Sequence, residues 1–194
     1  MRFPVFSKSR RLAALVLALC AAGAQAADLR DVTVERDDDH YRLNSTAYFN
    51  VGREELYRVL TNYDLFKRFT SAIVESRNVE PDDKGRPQFY ARMQGCVLLF
   101  CKSFIRNGYL LLNPMHEIVA VADPEHSDFR KSRERWRLVP EGDGTVMTYE
   151  FEMVPDFWVP PVIGPYFIQK TLRDGGIDAI DRIEALALGK EPKK

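Results

Sequence analysis

Hydrophobic and polar residues alternate along much of the chain between residues 40 and 154, and a period of two predicts β-strands. Clusters of Pro, Gly and Asp interrupt this pattern at residues 81–85 and 141–144 and predict turns between strands. We therefore expect seven strands, at residues 40–50, 71–80, 87–97, 102–112, 115–122, 132–139 and 145–154.

Helical spacing of apolar residues occurs before and after this run of strands. Leu56, Val59 and Leu60 predict a helix over residues 51–60, and Asp64 can cap a second short helix that runs through Arg68. Between residues 165 and 188, apolar or small residues recur every three or four positions, which predicts one long C-terminal helix. A run of strands followed by a helix favours the α+β class with an antiparallel sheet. Seven strands present more apolar surface than a flat sheet can cover, so we expect the sheet to curl around the last helix.

The first 26 residues have the pattern of a secretory signal peptide. Residues 1–11 are basic, residues 12–22 form an apolar run of about eleven residues, and Ala24-Gln25-Ala26 is a small-x-small cleavage site. The alternative is an uncleaved membrane anchor, but a span needs roughly 20 apolar residues. We expect cleavage after Ala26 and a soluble protein in the periplasm if the source is Gram-negative. Residues 27–39 then form a charged lead-in, interpreted as a solvated linker, and residues 189–194 a short tail.

The charge balance changes when the leader is set aside. The whole chain has 28 basic and 28 acidic residues, whereas residues 1–26 hold four basic residues and no acid. Removing them leaves 24 basic against 28 acidic residues, a net charge of −4. An acidic domain argues against nucleic-acid binding, which needs a basic surface. The hydrophobic content of 45% argues against global disorder.

Two cysteines, Cys96 and Cys101, remain after the leader. An isolated pair in an oxidising compartment favours a disulfide. Bridged Cα atoms lie within about 7 Å, while five extended residues span about 16 Å. A bridge therefore requires the chain to reverse at residues 97–100. The alternative is a pair of free cysteines in the core.

For the last hairpin and the cysteine hairpin, the position of the turn predicts which residues share each face of the sheet. In the last hairpin, Arg133, Arg135 and Arg137 oppose Glu152, Glu150 and Thr148 on a face that we expect to be solvent-exposed. The other face of that hairpin carries Glu134, Trp136, Leu138, Met147, Tyr149 and Phe151. In the cysteine hairpin, the more apolar face carries Phe89, Ala91, Met93, Phe104, Arg106 and Gly108.

Each apolar face therefore carries one charge, Arg106 or Glu134. Buried charges are costly unless they are paired. We expect these two residues to pair inside the protein or to hold the polar end of a ligand. The alternative is a one-residue bulge that places either side chain in solvent.

Two stretches of the chain resemble a known family. They are FNVGREELYRVLTNYD at residues 49–64 and LRDGGIDAIDRIEALA at residues 172–187, with Asn62 where the family usually has Asp. They resemble the START-like (SRPBCC) superfamily, in its polyketide cyclase and coenzyme-Q-binding-protein branch, over residues 40–188. The resemblance implies a helix-grip fold: a curved seven-stranded antiparallel sheet around the C-terminal helix, two short helices after the first strand, and an apolar cavity. The family has no universal catalytic set, so no catalytic residue is carried over.

We expect the cavity to lie between the inner face of the sheet and the last helix. Gly175 and Gly176 remove side chains from that helix, which makes room for a ligand, although close helix–sheet packing or a kink explains them equally well. The candidate lining residues are Phe89, Met93, Phe104, Arg106, Glu134, Trp136, Met147, Tyr149, Phe151, Leu172, Gly176 and Ile180.

Two apolar segments fall in predicted loops rather than in strands or helices. Exposed apolar loops mark lids or contact surfaces, and Trp and Tyr beside them suit a membrane interface. The alternative is that both segments pack on the core. The residues that we expect at the cavity mouth or in membrane contact are Val97, Leu98, Leu99, Phe100, Trp158, Val159, Val162, Ile163, Tyr166 and Phe167.

These features favour an exported protein that binds or carries a lipid, an isoprenoid or a quinone-like molecule. The histidines are scattered at positions 40, 116 and 126, and the cluster of Asp and His at residues 123–128 falls in a loop, so we expect no catalytic site, metal or cofactor. We expect a monomer that binds no nucleic acid and makes transient contact with a membrane. One alternative is a cyclase or dehydratase that uses Glu134 or Arg106 on a polyketide or aromatic molecule. A second is a protein-interaction module without ligand, acting through the Arg133, Arg135 and Arg137 stripe.

Overall fold

The structure is a computed structural model that describes residues 27–97, 100–161 and 163–192. The predicted signal peptide lies outside these residues. Helices α1 and α2 span Arg53–Leu60 and Gly164–Ala187, and two short 3₁₀ helices span Tyr63–Arg68 and Pro124–His126. The strands are β1 (Asp28–Asp37), β2 (His40–Phe49), β3 (Ile73–Val79), β4 (Gln88–Val97), β5 (Phe100–Asn113), β6 (Glu117–Ala122), β7 (Phe129–Glu141) and β8 (Gly144–Pro155).

The strands form one curved antiparallel sheet with the order β1-β2-β8-β7-β6-β5-β4-β3. Helix α2 lies against this sheet, where it contacts β1, β2 and β4, and it also contacts α1. The predicted α+β helix-grip class is therefore confirmed. The strand count differs from the prediction, because the described part of the chain forms a sheet of eight strands instead of seven.

The extra strand is β1, so the prediction of a solvated linker over residues 27–39 is wrong. Strand β1 pairs with β2 along its whole length, and half-buried Val32 and Val34 pack on the core. A register shift between Leu29 and Asp31 breaks the alternation of apolar residues, which is why the sequence pattern does not show a strand. Asp38 turns the chain into β2 with a φ of 54°, a left-handed conformation that Asp tolerates better than most residues.

The predicted pairings of both hairpins are observed residue for residue. Arg133 lies opposite Glu152 and Trp136 opposite Tyr149, while Met93 lies opposite Phe104. The register shift in β7 falls between Phe129 and Lys131, outside the predicted pairs. Inward- and outward-facing positions are thus as expected, and the alternative of a bulge that moves Arg106 or Glu134 into solvent is wrong, since both are buried.

Cys96 and Cys101 form a disulfide across the β4–β5 hairpin, with Cα atoms 4.0 Å apart. The predicted bridge is confirmed, and the alternative of two free cysteines is wrong. The bridge closes the hairpin where β4 ends at Val97 and β5 begins at Phe100.

The buried side chains form two clusters that differ in their place along α2. The larger cluster joins α1 to the C-terminal part of α2 through residues such as Leu56, Val59 and Ile183. The smaller cluster contains Tyr41, Leu43, Phe129, Phe151 and Met153. Between Pro165 and Ile180, no residue of α2 is fully buried. The C-terminal part of α2 is therefore anchored in the core, while its N-terminal part covers a less densely filled region.

A candidate ligand cavity beneath the C-terminal helix

A cavity of about 390 Å³ lies between the inner face of the sheet and α2 and is bordered by both buried clusters. This volume is within the range of small-molecule binding sites, about 300–1,000 Å³. Ten of the twelve predicted positions line it, and their role in binding a ligand stays a prediction. The ten are Met93, Phe104, Glu134, Trp136, Met147, Tyr149, Phe151, Leu172, Gly176 and Ile180.

The other two predicted positions, Phe89 and Arg106, are buried but do not line the cavity. The ring of Tyr63 stacks on Phe89 at a centroid distance of 4.3 Å. Arg106 lies beside the rings of Phe89 and Phe151, at 5.4 and 5.5 Å from their centroids. Sheet register correctly places both side chains on the inner face, but aromatic rings from other elements cover them.

Sequence reasoning missed several lining residues on two other parts of the chain. Phe66 and Phe69 come from the first 3₁₀ helix and the residue after it, and their spacing of three was a usable signal. Leu43 and Ser45 alternate with outward-facing residues of β2, so strand periodicity could have identified them. The other missed residues are spread over several strands, the loop before β3, the segment before α2 and α2 itself, and include Phe129, Met153, Phe157 and Ile168.

Gly175 and Gly176, in the middle of α2, line the cavity in different ways. The helix continues from Gly164 to Ala187 without interruption. A Cβ atom at Gly175 would lie 3.3 Å from Thr70 Oγ1, so this glycine allows close packing. A Cβ atom at Gly176 would meet only Leu43 Cδ1 at 3.6 Å, which is ordinary contact. A larger side chain at Gly176 would therefore occupy the cavity.

A buried polar cluster joins the cavity wall to the core. Glu134 Oε1 accepts a hydrogen bond from Tyr149 Oη, at 3.0 Å, and forms an ion pair with Arg106 Nη1, at 3.1 Å. Tyr63 Oη lies 3.5 Å from Glu134 Oε2, at the long limit of a hydrogen bond. The buried Nε and Nη2 atoms of Arg106 have no hydrogen-bond partner among the described residues. The predicted pair of Arg106 and Glu134 thus forms inside the protein.

Burial determines the protonation states of this cluster. Burial, followed by the charge of Glu134, raises the pKa of both Tyr63 and Tyr149 well above the usual value, so both stay protonated donors. Burial lowers the pKa of Arg106, but attraction to Glu134 and the two tyrosines outweighs it, so the pKa is raised overall. Arg106 therefore stays charged and balances the carboxylate.

Only some of the predicted mouth residues line the cavity. Trp158, Val159 and Phe167 line the cavity, whereas Ile163 and Tyr166 do not. Trp158 is nevertheless 77% exposed and Tyr166 is 64% exposed, so these two side chains do not pack on the core. Val97 ends β4 and Phe100 begins β5, while Leu98, Leu99 and Val162 lie outside the described residues.

Phe157 and Lys102 form part of the cavity wall near the disulfide hairpin. The ring of Phe157 stacks on Phe104 at a centroid distance of 4.0 Å. Lys102 is exposed, and its Nζ lies 5.3 Å from the Phe157 centroid. Glu134 and Lys102 are the only charged residues among the described lining residues. The wall is therefore apolar apart from one buried acid and one exposed base.

Ion pairs connect charged side chains on the outer face of the sheet. Arg135 and Arg137 both contact Glu150 and Glu117. This supports a solvated face more than a docking surface built on the arginine stripe.

In the loop after β6, His126 Nδ1 lies 2.8 Å from Asp123 Oδ2. No group of three or more His, Cys, Asp or Glu residues close enough to hold a metal occurs in the described part of the chain.

A curved antiparallel sheet around a long C-terminal helix, with an apolar cavity between them, defines the helix-grip class. A family model described as "Polyketide cyclase / dehydrase and lipid transport" matches residues 50–174, more than half of the chain. The chain therefore belongs to this family, within the START-like superfamily.

Solved structures show the same fold at low sequence identity. A START superfamily protein from Mycobacterium smegmatis is 16% identical with a TM-score of 0.60, and the match covers 76% of this chain and 97% of that one. The Zhui aromatase/cyclase from a Streptomyces species is 9% identical with a TM-score of 0.63, covering 77% and 94%. A STAR-related lipid transfer protein from Xanthomonas axonopodis is 13% identical with a TM-score of 0.56, covering 81% and 98%.

A search of curated protein sequences found no match to this chain. Within the described residues, no helix has both the length and the apolar character needed to span a bilayer.

Proposed function

We propose that this protein is exported and carries a hydrophobic small molecule, such as a lipid, an isoprenoid or a quinone-like compound, in the cavity beneath α2. The observation that carries the proposal is the cavity itself, which is large, continuous and lined mainly by apolar side chains. The family description names lipid transport together with cyclase chemistry, so it is compatible with a carrier. Export rests on the signal-peptide pattern of residues 1–26.

The chemistry of the wall supports a carrier over an enzyme. A general base must lie within reach of a proton of the substrate, and it must be free to accept that proton. Glu134 is already paired with Arg106 and bonded to Tyr149, and Tyr149 is a weak acid because its pKa is raised well above the usual value. A cyclase that uses Glu134 and Tyr149 is the second candidate, because this hydrogen-bonded pair lies on the cavity wall.

Ligand exchange requires an opening, and the segment before α2 is the best candidate. Trp158 both lines the cavity and is largely exposed, and exposed Tyr166 follows it on the first turns of α2. We infer that these side chains enter the interface of a bilayer during exchange, where aromatic residues are favoured. The net charge of −4 after residue 26 argues that apolar contact, not attraction to anionic lipid, drives this step.

Native mass spectrometry of the protein purified from its own compartment tests the carrier function. The wild type should retain a hydrophobic molecule, and Gly176→Phe should lose it because the added ring fills the cavity. The control is Ile177→Phe, which places the same ring on an exposed position of the same helix. A wild type that arrives empty and turns over an aromatic polyketide would favour the enzyme instead.

A further inference from the structure

We propose that the ligand of this cavity presents a neutral hydrogen-bond donor, such as a hydroxyl group, to Glu134 at its buried end. This inference rests on the proposed function, because it requires that the cavity hold a small molecule. It adds the chemical class of the ligand and its orientation, which the apolar wall alone does not define.

Glu134 is the member of the polar cluster that a ligand can reach. Its side chain keeps 11% exposure and lines the cavity, whereas Arg106 keeps 3% and does not line it. Of the two carboxylate oxygens, Oε1 pairs with Arg106 and accepts a hydrogen bond from Tyr149. Oε2 has only the 3.5 Å contact with Tyr63. A carboxylate oxygen accepts more than one hydrogen bond, so Oε2 has capacity for a donor from the ligand.

The groups around Glu134 offer no accessible partner to an acidic ligand, because Arg106, whose Nε and Nη2 atoms have no partner among the described residues, does not line the cavity. Tyr63 and Tyr149 already face Glu134 as protonated donors, and Arg106 balances the charge of the carboxylate. The pair is therefore neutral as a whole. A second carboxylate placed beside it would be an uncompensated buried charge, which is strongly unfavourable.

An anionic group on the ligand requires a cationic partner elsewhere on the cavity wall. Lys102 is the one basic residue among the described lining residues, and it is exposed beside the disulfide hairpin. A ligand that carries an anionic group should therefore place it near Lys102, with its apolar body inside. The wall thus selects a donor for the buried end and tolerates an anion at the exposed end.

Calorimetric titration with dodecan-1-ol and dodecanoate, both below their aggregation limits at pH 7.5, tests this assignment. In Glu134→Gln, dodecan-1-ol should bind about tenfold more weakly, because a charged acceptor is replaced by a neutral amide. Dodecanoate should bind the same variant no more weakly than the wild type. Equal effects on both probes, or no effect on dodecan-1-ol, would overturn the inference.

Lys102→Gln is the matched control, and it should give the reverse result. It should weaken dodecanoate several-fold and leave dodecan-1-ol unchanged, because only the carboxylate depends on the exposed lysine. Loss of both probes to the same degree would contradict the orientation.

A second variant distinguishes loss of ligand binding from a folding defect in Glu134→Gln. Replacing Arg106 and Glu134 together by Met removes the whole ion pair, a change that buried cores often tolerate. It should also weaken dodecan-1-ol about tenfold while sparing dodecanoate. A wild type that binds neither probe would contradict the proposed function itself, an outcome distinct from loss of selectivity between the probes.

Discussion

At the scale of single residues, the Arg106–Glu134 pair is the feature that the sequence predicted best. Alternation along β5 and β7 placed both charges on apolar faces, and the expected pairing follows from the cost of burying either one alone. The sequence did not show that Arg106 lies out of reach of the cavity. That depends on the rings of Phe89 and Phe151, which come from β4 and β8.

The two buried tyrosines of this cluster should make the protein sensitive to alkali. Because the pKa of Tyr63 and Tyr149 is raised in the folded state, their contribution to stability is complete below about pH 10, the pKa in the unfolded chain. Above that pH, each tyrosine should lower the free energy of unfolding by about 1.4 kcal/mol per pH unit. Tyr149→Phe should remove one such dependence, as measured by urea unfolding at pH 9, 10 and 11.

Tyr166→Phe is the matched control for this pH series. Tyr166 is 64% exposed, so its replacement should leave the alkaline loss of stability unchanged. Parallel curves for the wild type and Tyr149→Phe above pH 10 would show that Tyr149 ionises freely and would contradict the prediction.

At the scale of elements, local pairing was predictable and β1 was not. The β4–β5 and β7–β8 hairpins join neighbouring segments, so turn position and alternation together specify their register. Strand β1 has only Leu29, Val32 and Val34 as apolar contacts, and the bulge between Leu29 and Asp31 shifts their phase. A charged segment with three apolar residues out of phase resembles a linker until the partner strand is known.

Substitutions in β1 can distinguish a structural strand from a linker. Val32→Asp should lower the free energy of unfolding by about 2 kcal/mol, because Val32 is half-buried against the smaller cluster. Thr33→Asp, at the adjacent exposed position, should change it by less than about 0.5 kcal/mol. The measurement is the urea midpoint, and equal effects of the two substitutions would mean that β1 does not pack as a strand.

At the scale of the whole molecule, the cavity adjoins both buried clusters and lies beneath the N-terminal part of α2. The C-terminal part of α2 is held by Ile180, Ile183 and by Glu184, whose Oε1 accepts the backbone N–H of Asn50 at 2.7 Å. The N-terminal part has no comparable burial after Pro165. A ligand that contacts both clusters should therefore stabilise this part of the helix, since binding only to the native state raises stability.

Membrane contact is also a property of the whole molecule, because it depends on which surface the fold leaves exposed. Co-sedimentation with phosphatidylcholine vesicles should detect the wild type, and Trp158→Ala should reduce the bound fraction several-fold by removing an interfacial aromatic ring. Val139→Ala is the control, since Val139 is 58% exposed on β7 near the β7–β8 turn, and it should bind like the wild type. If the wild type itself does not bind vesicles, the membrane step is wrong and the carrier function stands without it.

The sequence by itself determined the α+β class, seven of the eight strands, the faces of two hairpins and the Cys96–Cys101 bridge. These features depend on residues that are close in sequence, so the periodicity of apolar residues and the composition of the turns predict them. Only the tertiary structure decided the place of β1, the screening of Phe89 and Arg106, and the extent of the cavity. A cavity forms where elements that are distant in sequence do not contact each other. Their separation depends on how they pack, and no local sequence pattern predicts it.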